Sequence, residues 1–220
     1  MSDYVLIGPS LSPWVKRARC FFTEKNVAFE IDPYAPFGAP ATPEFLAVSP
    51  LGKIPALKHG DFSVAESLAI CTYIEKLHPD PPLIPSAPKS AAQALWLCAY
   101  ADALFSQVEG PLFSQRVLRP ALKQEVDEAA LAEALEKKPK FLAYLNEQVG
   151  ADDFLVDNTF SIADITVCAV MVGMQYAKEP LDAGAYPALA SLYDRVIARE
   201  SFQKLLAEDR EIFSRLGIEV

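Results

Sequence analysis

Three short stretches of this chain carry side chains suited to holding an anion. In Ser10-Leu11-Ser12-Pro13, a serine before a proline suits a helix N-cap followed by the first helical position, where proline's missing N–H costs nothing. In Lys53-Ile54-Pro55, the proline stands directly before Ala56 and Leu57, which suit a buried strand. An X-Pro bond at a strand start is a favoured place for a cis peptide, and a cis Ile54–Pro55 bond would turn the preceding residue's N–H and C=O towards a ligand. Glu66-Ser67 falls where helical spacing begins, at Leu68, Ile70, Tyr73, Ile74 and Leu77. Unpaired amides at a helix N-terminus attract anions, and this pair adds an acceptor and a hydroxyl.

The composition narrows what that anion site serves. The formal charge of −9 argues against nucleic acid or an anionic membrane as a main partner. Residues 1–80 hold 7 basic and 9 acidic side chains, a balance of −2, so −7 falls in the remainder. The nearly neutral segment is the better home for an anionic ligand. Cys20, Cys71, Cys98 and Cys168 lie far apart without metal-ligand spacing, and His59 and His78 are the two histidines, so no metal is expected. Buried reduced thiols in a cytoplasmic protein are the plain expectation. The N-terminus lacks the basic and apolar regions of a signal peptide, and no apolar run reaches the ~18 residues of a membrane span.

The elements that position the three stretches follow from the pattern. Tyr4 to Ile7 reads as a first strand closed by Gly8-Pro9, and Ser12-Pro13 opens a helix with Val15, Ala18 and Cys20-Phe21-Phe22 on its apolar face. Lys16, Arg17 and Arg19 are expected on its wet side. Val27 to Ile31 reads as a second, parallel strand, completing a βαβ unit. A proline-rich loop over 33–43 and a short helix over Glu44 to Val48 lead to a hairpin, Ala56-Leu57 and Phe62 to Ala65 around a turn at His59-Gly60-Asp61. The order βαβ, αββα is that of a thioredoxin-like domain, placed at residues 1–80. Residues 81–88 read as a linker, and 89–220 as an all-helical domain.

In that second domain the spacing predicts a long helix over 91–118, bent near Gly110-Pro111, and another over 129–149 that Pro139 should kink or break. Ser161-Ile-Ala-Asp164 reads as a capping box opening a buried helix, so Asp164 is assigned to folding. Helices over 188–199 and 202–213 close the chain.

Lys53-Ile54-Pro55-Ala56-Leu57 followed by Glu66-Ser67 resembles the glutathione-binding half of the glutathione transferase superfamily, and the helical half with its capping box is similar to that family's second domain. The resemblance covers roughly the whole chain. It implies that the backbone at Ile54-Pro55 pairs with the cysteinyl part of glutathione, that Glu66 and Ser67 hold its γ-glutamyl end, and that Lys53 pairs with its glycyl carboxylate. The helix start has Ser12-Pro13-Trp14-Val15 in place of Cys-Pro-x-Cys, which excludes dithiol exchange there. A serine hydroxyl can instead stabilise a bound thiolate. Ser12 is the first candidate and Ser10 the second.

The expected function is that of a Ser-type glutathione transferase, a cytoplasmic homodimer in detoxification. Glutathione is its co-substrate, and the thiolate attacks a small hydrophobic electrophile by conjugation or peroxide reduction. The alternatives are a glutathione-dependent cis–trans isomerase of the maleylacetoacetate type, whose Ser-Ser-Cys element is absent, and a non-catalytic module that binds proteins.

Overall fold

The computed structural model describes residues 2–36 and 40–219, so residues 37–39 of the expected proline-rich loop lie outside the described residues. The chain divides into two compact units, Met1–Ile84 and Pro85–Val220. The first runs β1 (Tyr4–Ile7), α1 (Pro13–Glu24), β2 (Glu30–Asp32), α2 (Pro43–Val48), β3 (Ala56–His59), β4 (Phe62–Ala65) and α3 (Ser67–Leu77). Its sheet has the order β2-β1-β3-β4, with β1 parallel to β2 and antiparallel to β3, and β3 antiparallel to β4. Helices α1 and α3 pack together, and their Val15, Phe21, Phe22, Ile70 and Ile74 are buried. Helix α2 packs on β3 and β4, where Phe45 joins Ile7 and Ala56 in a small core.

The second strand starts three residues later than its sequence predicts. Helix α1 is closed first: Asn26 takes a left-handed φ of 55°, and the Val27 N–H reaches back to Phe22 O at 3.0 Å. That six-to-one bond spends Val27 on the helix end. The wet face assigned to α1 is also corrected. Lys16 and Arg17 are buried at 1% and 2% exposure. Lys16 Nζ donates to Ser10 O at 2.9 Å, and Arg17 reaches Ser67. Long cationic stems lie along apolar surface while their heads find fixed acceptors.

Lys25, at the end of α1, holds the far side of this unit. Its side chain is fully buried, and Nζ lies 2.6 Å from Glu75 Oε2, 2.8 Å from His78 O and 2.6 Å from Pro81 O. Three acceptors match the three ammonium hydrogens. Lys25→Met is expected to destabilise the protein by roughly 3 kcal/mol, because it leaves a buried carboxylate and two carbonyls without their donor. Denaturant melts check this. Adding Glu75→Gln should recover a substantial part of the loss, and a second change that merely adds its own cost would contradict the assignment.

The second unit is helical: α4 (Pro88–Leu104), π1 (Phe105–Glu109), α5 (Gly110–Phe113), π2 (Ser114–Leu118), α6 (Arg119–Ala121), α7 (Glu128–Val149), α8 (Ile162–Tyr176), α9 (Pro187–Ile197) and α10 (Glu200–Leu216). The bend expected near Gly110-Pro111 is replaced by two π turns in an otherwise continuous run. Each ends two residues before a proline, with Gly110 N–H bonding Phe105 O and Arg119 N–H bonding Ser114 O. A proline ring clashes with the carbonyl four residues back, and widening the turn ahead of Pro111 and Pro120 relieves it. Pro139 lies inside α7, which runs through it over 22 residues, so the expected break is absent.

Helix α8 is the axis of this unit; among its 15 residues Gln175 alone is exposed. The capping box forms as its sequence predicts, with the Ser161 N–H donating to Asp164 Oδ2 at 2.8 Å. Asp164 Oδ1 also accepts the Leu155 N–H at 2.9 Å, which ties the preceding irregular segment to the helix start. Gly173 lets the buried Glu109 carboxylate cross α8: a β-carbon there would meet Glu109 Oε1 at 1.8 Å. No helix among the described residues is long and apolar enough to cross a membrane. All four cysteines are buried, as expected of thiols that serve packing.

Candidate functional site

The sheet register brings the three candidate stretches to one end of the first unit. Ile7 lies opposite Ala56, and Ala56 opposite Ala65. One residue further along each strand, Gly8, Pro55 and Glu66 therefore stand side by side. Ser10 and Ser12 follow Gly8, Lys53 and Ile54 precede Pro55, and Ser67 follows Glu66. The Ile54–Pro55 peptide is cis, as the sequence suggests. Gly8, at φ 131°, makes the close approach possible, since a β-carbon there would sit 2.6 Å from Val15 Cγ2 and 3.1 Å from Ile54 Cβ.

Each stretch is held from below. Ser12 caps α1 with its Oγ accepting the Val15 N–H at a long 3.5 Å, and as the acceptor in that cap the half-buried hydroxyl does not use its own proton there. Ser10 is fully buried, and its carbonyl is taken by Lys16. The loop before the cis peptide is pinned by the buried Ser49, whose hydroxyl donates to Lys53 O at 2.7 Å and accepts the Lys53 N–H at 3.2 Å. The Lys53 residue itself is exposed. Glu66 is the exposed N-cap residue of α3 and holds φ 74°, ψ 119°, a conformation a non-glycine residue adopts at a cost of about 1–3 kcal/mol. That strain sits at the candidate site and turns the chain from β4 into the helix. Ser67 is the first residue of α3 and 1% exposed.

Sequence reasoning missed Arg17. Its Nε and Nη2 lie 3.1 and 2.6 Å from Ser67 Oγ, and its guanidinium lies 4.8 Å from the Trp14 ring centroid. Periodicity places Arg17 outside the apolar stripe of α1, and no local signal names a partner fifty positions away. Tyr4, given little weight as a thiol donor, stands at the opposite end of β1. Its hydroxyl is 3.0 Å from His78 Nε2, and burial pushes its pKa up.

A four-stranded thioredoxin-like sheet with helices, followed in the chain by an all-helical unit, is the architecture of glutathione transferases. Comparison with known proteins agrees. The family model described as "Glutathione S-transferase, N-terminal domain" matches residues 6–82, and that described as "Glutathione S-transferase, C-terminal domain" matches residues 114–209. Glutathione S-transferase 3 of Zea mays is 31% identical over 212 residues, covering 94% of this chain and 95% of that protein. A solved structure of glutathione S-transferase I bound with lactoylglutathione superposes with a TM-score of 0.83 at 25% identity, covering 93% of this chain and 99% of that one. Elongation factor 1-gamma of Danio rerio is 31% identical over 169 residues, covering 76% of this chain and 36% of that protein. The chain belongs to the glutathione S-transferase family and is a transferase by that membership.

Proposed function

We propose that this protein binds glutathione at the sheet end defined by Gly8, Pro55 and Glu66 and activates its thiol for attack on a small hydrophobic electrophile. The observation that carries the reading is the shared register of three strand ends, which gathers Ser12, Lys53-Ile54-Pro55 and Glu66-Ser67. In this reading the cysteinyl backbone of glutathione pairs with the chain at Ile54-Pro55. The Lys53 ammonium takes the glycyl carboxylate, and Glu66 with Ser67 takes the γ-glutamyl ammonium and carboxylate. Ser12 rather than the fully buried Ser10 donates to the sulfur.

The chemistry needs no metal. A thiol of ordinary pKa near ~8.5 is mostly protonated at neutral pH. A hydroxyl donor at a helix start favours its thiolate, and each unit of depression is worth about 1.4 kcal/mol. The thiolate then forms a C–S bond as the electrophile's leaving group departs, its epoxide ring opens or its double bond takes the electron pair. With a hydroperoxide the thiolate attacks the terminal oxygen, an S–O bond forms as the O–O bond breaks, and the alkoxide leaves to take a proton. A second glutathione then attacks the sulfenic acid, giving glutathione disulfide and water. Residues 1–80 serve in this account as the glutathione-binding domain, 81–88 as linker and 89–220 as the helical domain of a cytoplasmic homodimer. The charge of −9 supports the exclusion of nucleic acid as a partner.

The second reading is a non-catalytic interaction module, favoured by the likeness to elongation factor 1-gamma. Turnover with glutathione against aryl halides, epoxides, hydroperoxides and activated alkenes separates the two. Saturable turnover with at least one class is expected. Glutathione affinity without turnover on any of the four would favour the module.

A further inference from the structure

We propose that Arg17 is a positioning residue that commits the Ser67 hydroxyl to donate, and so makes the subsite at the start of α3 selective for a carboxylate over a neutral amide. The proposal rests on the glutathione reading and deepens it: the carboxylate is that of the γ-glutamyl end.

A hydroxyl has one hydrogen and two lone pairs. Arg17 Nε and Nη2 lie 3.1 and 2.6 Å from Ser67 Oγ and both donate to it, which engages both of its lone pairs. Ser67 is then left with one capability, to give its hydrogen away. A ligand atom meeting this hydroxyl must accept. The first-turn amides of α3 have the same requirement, because they too are donors without helical acceptors. Arg17 is 2% exposed and Ser67 1%, so water competes weakly for these bonds, and the guanidinium is held beside the Trp14 ring at 4.8 Å to its centroid. A guanidinium suits this role better than an ammonium. Its planar fork fixes two donors on one oxygen, whereas a lysine head would rotate and supply one. Its charge also polarises the O–H bond it props, which strengthens the donation to an anion.

The test uses the full chain, glutathione and the glutathione analogue whose γ-glutamyl α-carboxylate is a carboxamide, with affinities read by calorimetry. In the wild type the carboxamide should bind about 10-fold or more weakly than glutathione, the discrimination that one hydrogen bond to a charged group supplies. In Arg17→Met that ratio should fall to the part that the first-turn amides of α3 supply on their own, while the variant still melts cooperatively. Arg17→Lys should restore part of it. Combining Arg17→Met with Ser67→Ala should change glutathione affinity no more than the larger single change, since the two residues act as one. A loss of packing alone would weaken both ligands together and leave the ratio intact. Equal binding of the two ligands by wild type, an intact ratio in Arg17→Met, or additive effects overturn the proposal and leave the glutathione reading standing. Wild type that binds neither ligand overturns that reading, and the proposal with it. Should Arg17→Met not fold, the wild-type ratio and Arg17→Lys decide.

Discussion

Ser12→Ala is expected to lower conjugation at saturating glutathione about 25-fold at pH 7 and less than twofold at pH 9. Glutathione affinity at pH 7 should fall only about fourfold, the part that the lost thiolate preference accounts for. The prediction follows from the thiolate fraction. A bound thiol held near ~6.5 by the Ser12 hydroxyl and the start of α1 is mostly ionised at pH 7, whereas one returned to ~8.5 is about 3% ionised. Above the higher value both proteins carry the thiolate, so the difference closes. A defect of folding or binding would not close with pH. The structural cost of the substitution should be small, about 0.5 kcal/mol, because the cap contact to Val15 is already long at 3.5 Å. The pH–rate profile of kcat/KM for the electrophile at saturating glutathione, in wild type and variant, with thermal melts as the control, reads the effect. A profile whose acid limb does not move would take the thiol role away from Ser12 and direct the same experiment to Ser10.

Asp164→Ala is expected to cost roughly 4 kcal/mol, because it strands two buried N–H groups, those of Ser161 and Leu155, that its carboxylate accepts at 2.8 and 2.9 Å. The carboxyl also titrates in a measurable window. Burial pushes its pKa up to about 6 against the opposing pull of the Leu155 and Ser161 hydrogen bonds, from an ordinary value of 3.8. The folded protein therefore binds this proton more tightly than the unfolded chain. The sign is that stability from this group is fully present below pH 3.8 and is lost as pH rises through 6. Between pH 7 and pH 4 Asp164 should add about 2 kcal/mol to the unfolding free energy, on top of whatever other groups do. Subtracting the same curve for Asp164→Asn, which cannot titrate, isolates it. A difference that is flat with pH would mean that the carboxyl keeps its ordinary pKa.

How much of this was readable beforehand depends on how local each cause is. The β1 strand, the β3–β4 hairpin, the Ser12 cap and the Ser161–Asp164 box all rest on residues within a few positions of one another, and each appears where the sequence places it. The end of α1 shows the limit: Val27 has the β-branched side chain of a strand residue, yet its N–H closes the helix. Pro111 and Pro120 announce irregularity, but the remedy is two widened turns rather than a bend. Arg17 and Lys25 mark the larger gap. Both are cations that periodicity alone would leave in water, and both are buried because acceptors fifty or more residues away converge on them. Only the folded register supplies those acceptors.

Calorimetric titration of glutathione into wild type, Ser67→Ala and Ser12→Ala tests the central claim most directly. The account predicts saturable binding by wild type, loss of about tenfold or more in Ser67→Ala, and at pH 7 only about a fourfold loss in Ser12→Ala, with a raised pKa of the bound thiol. No binding by wild type at millimolar glutathione would contradict it.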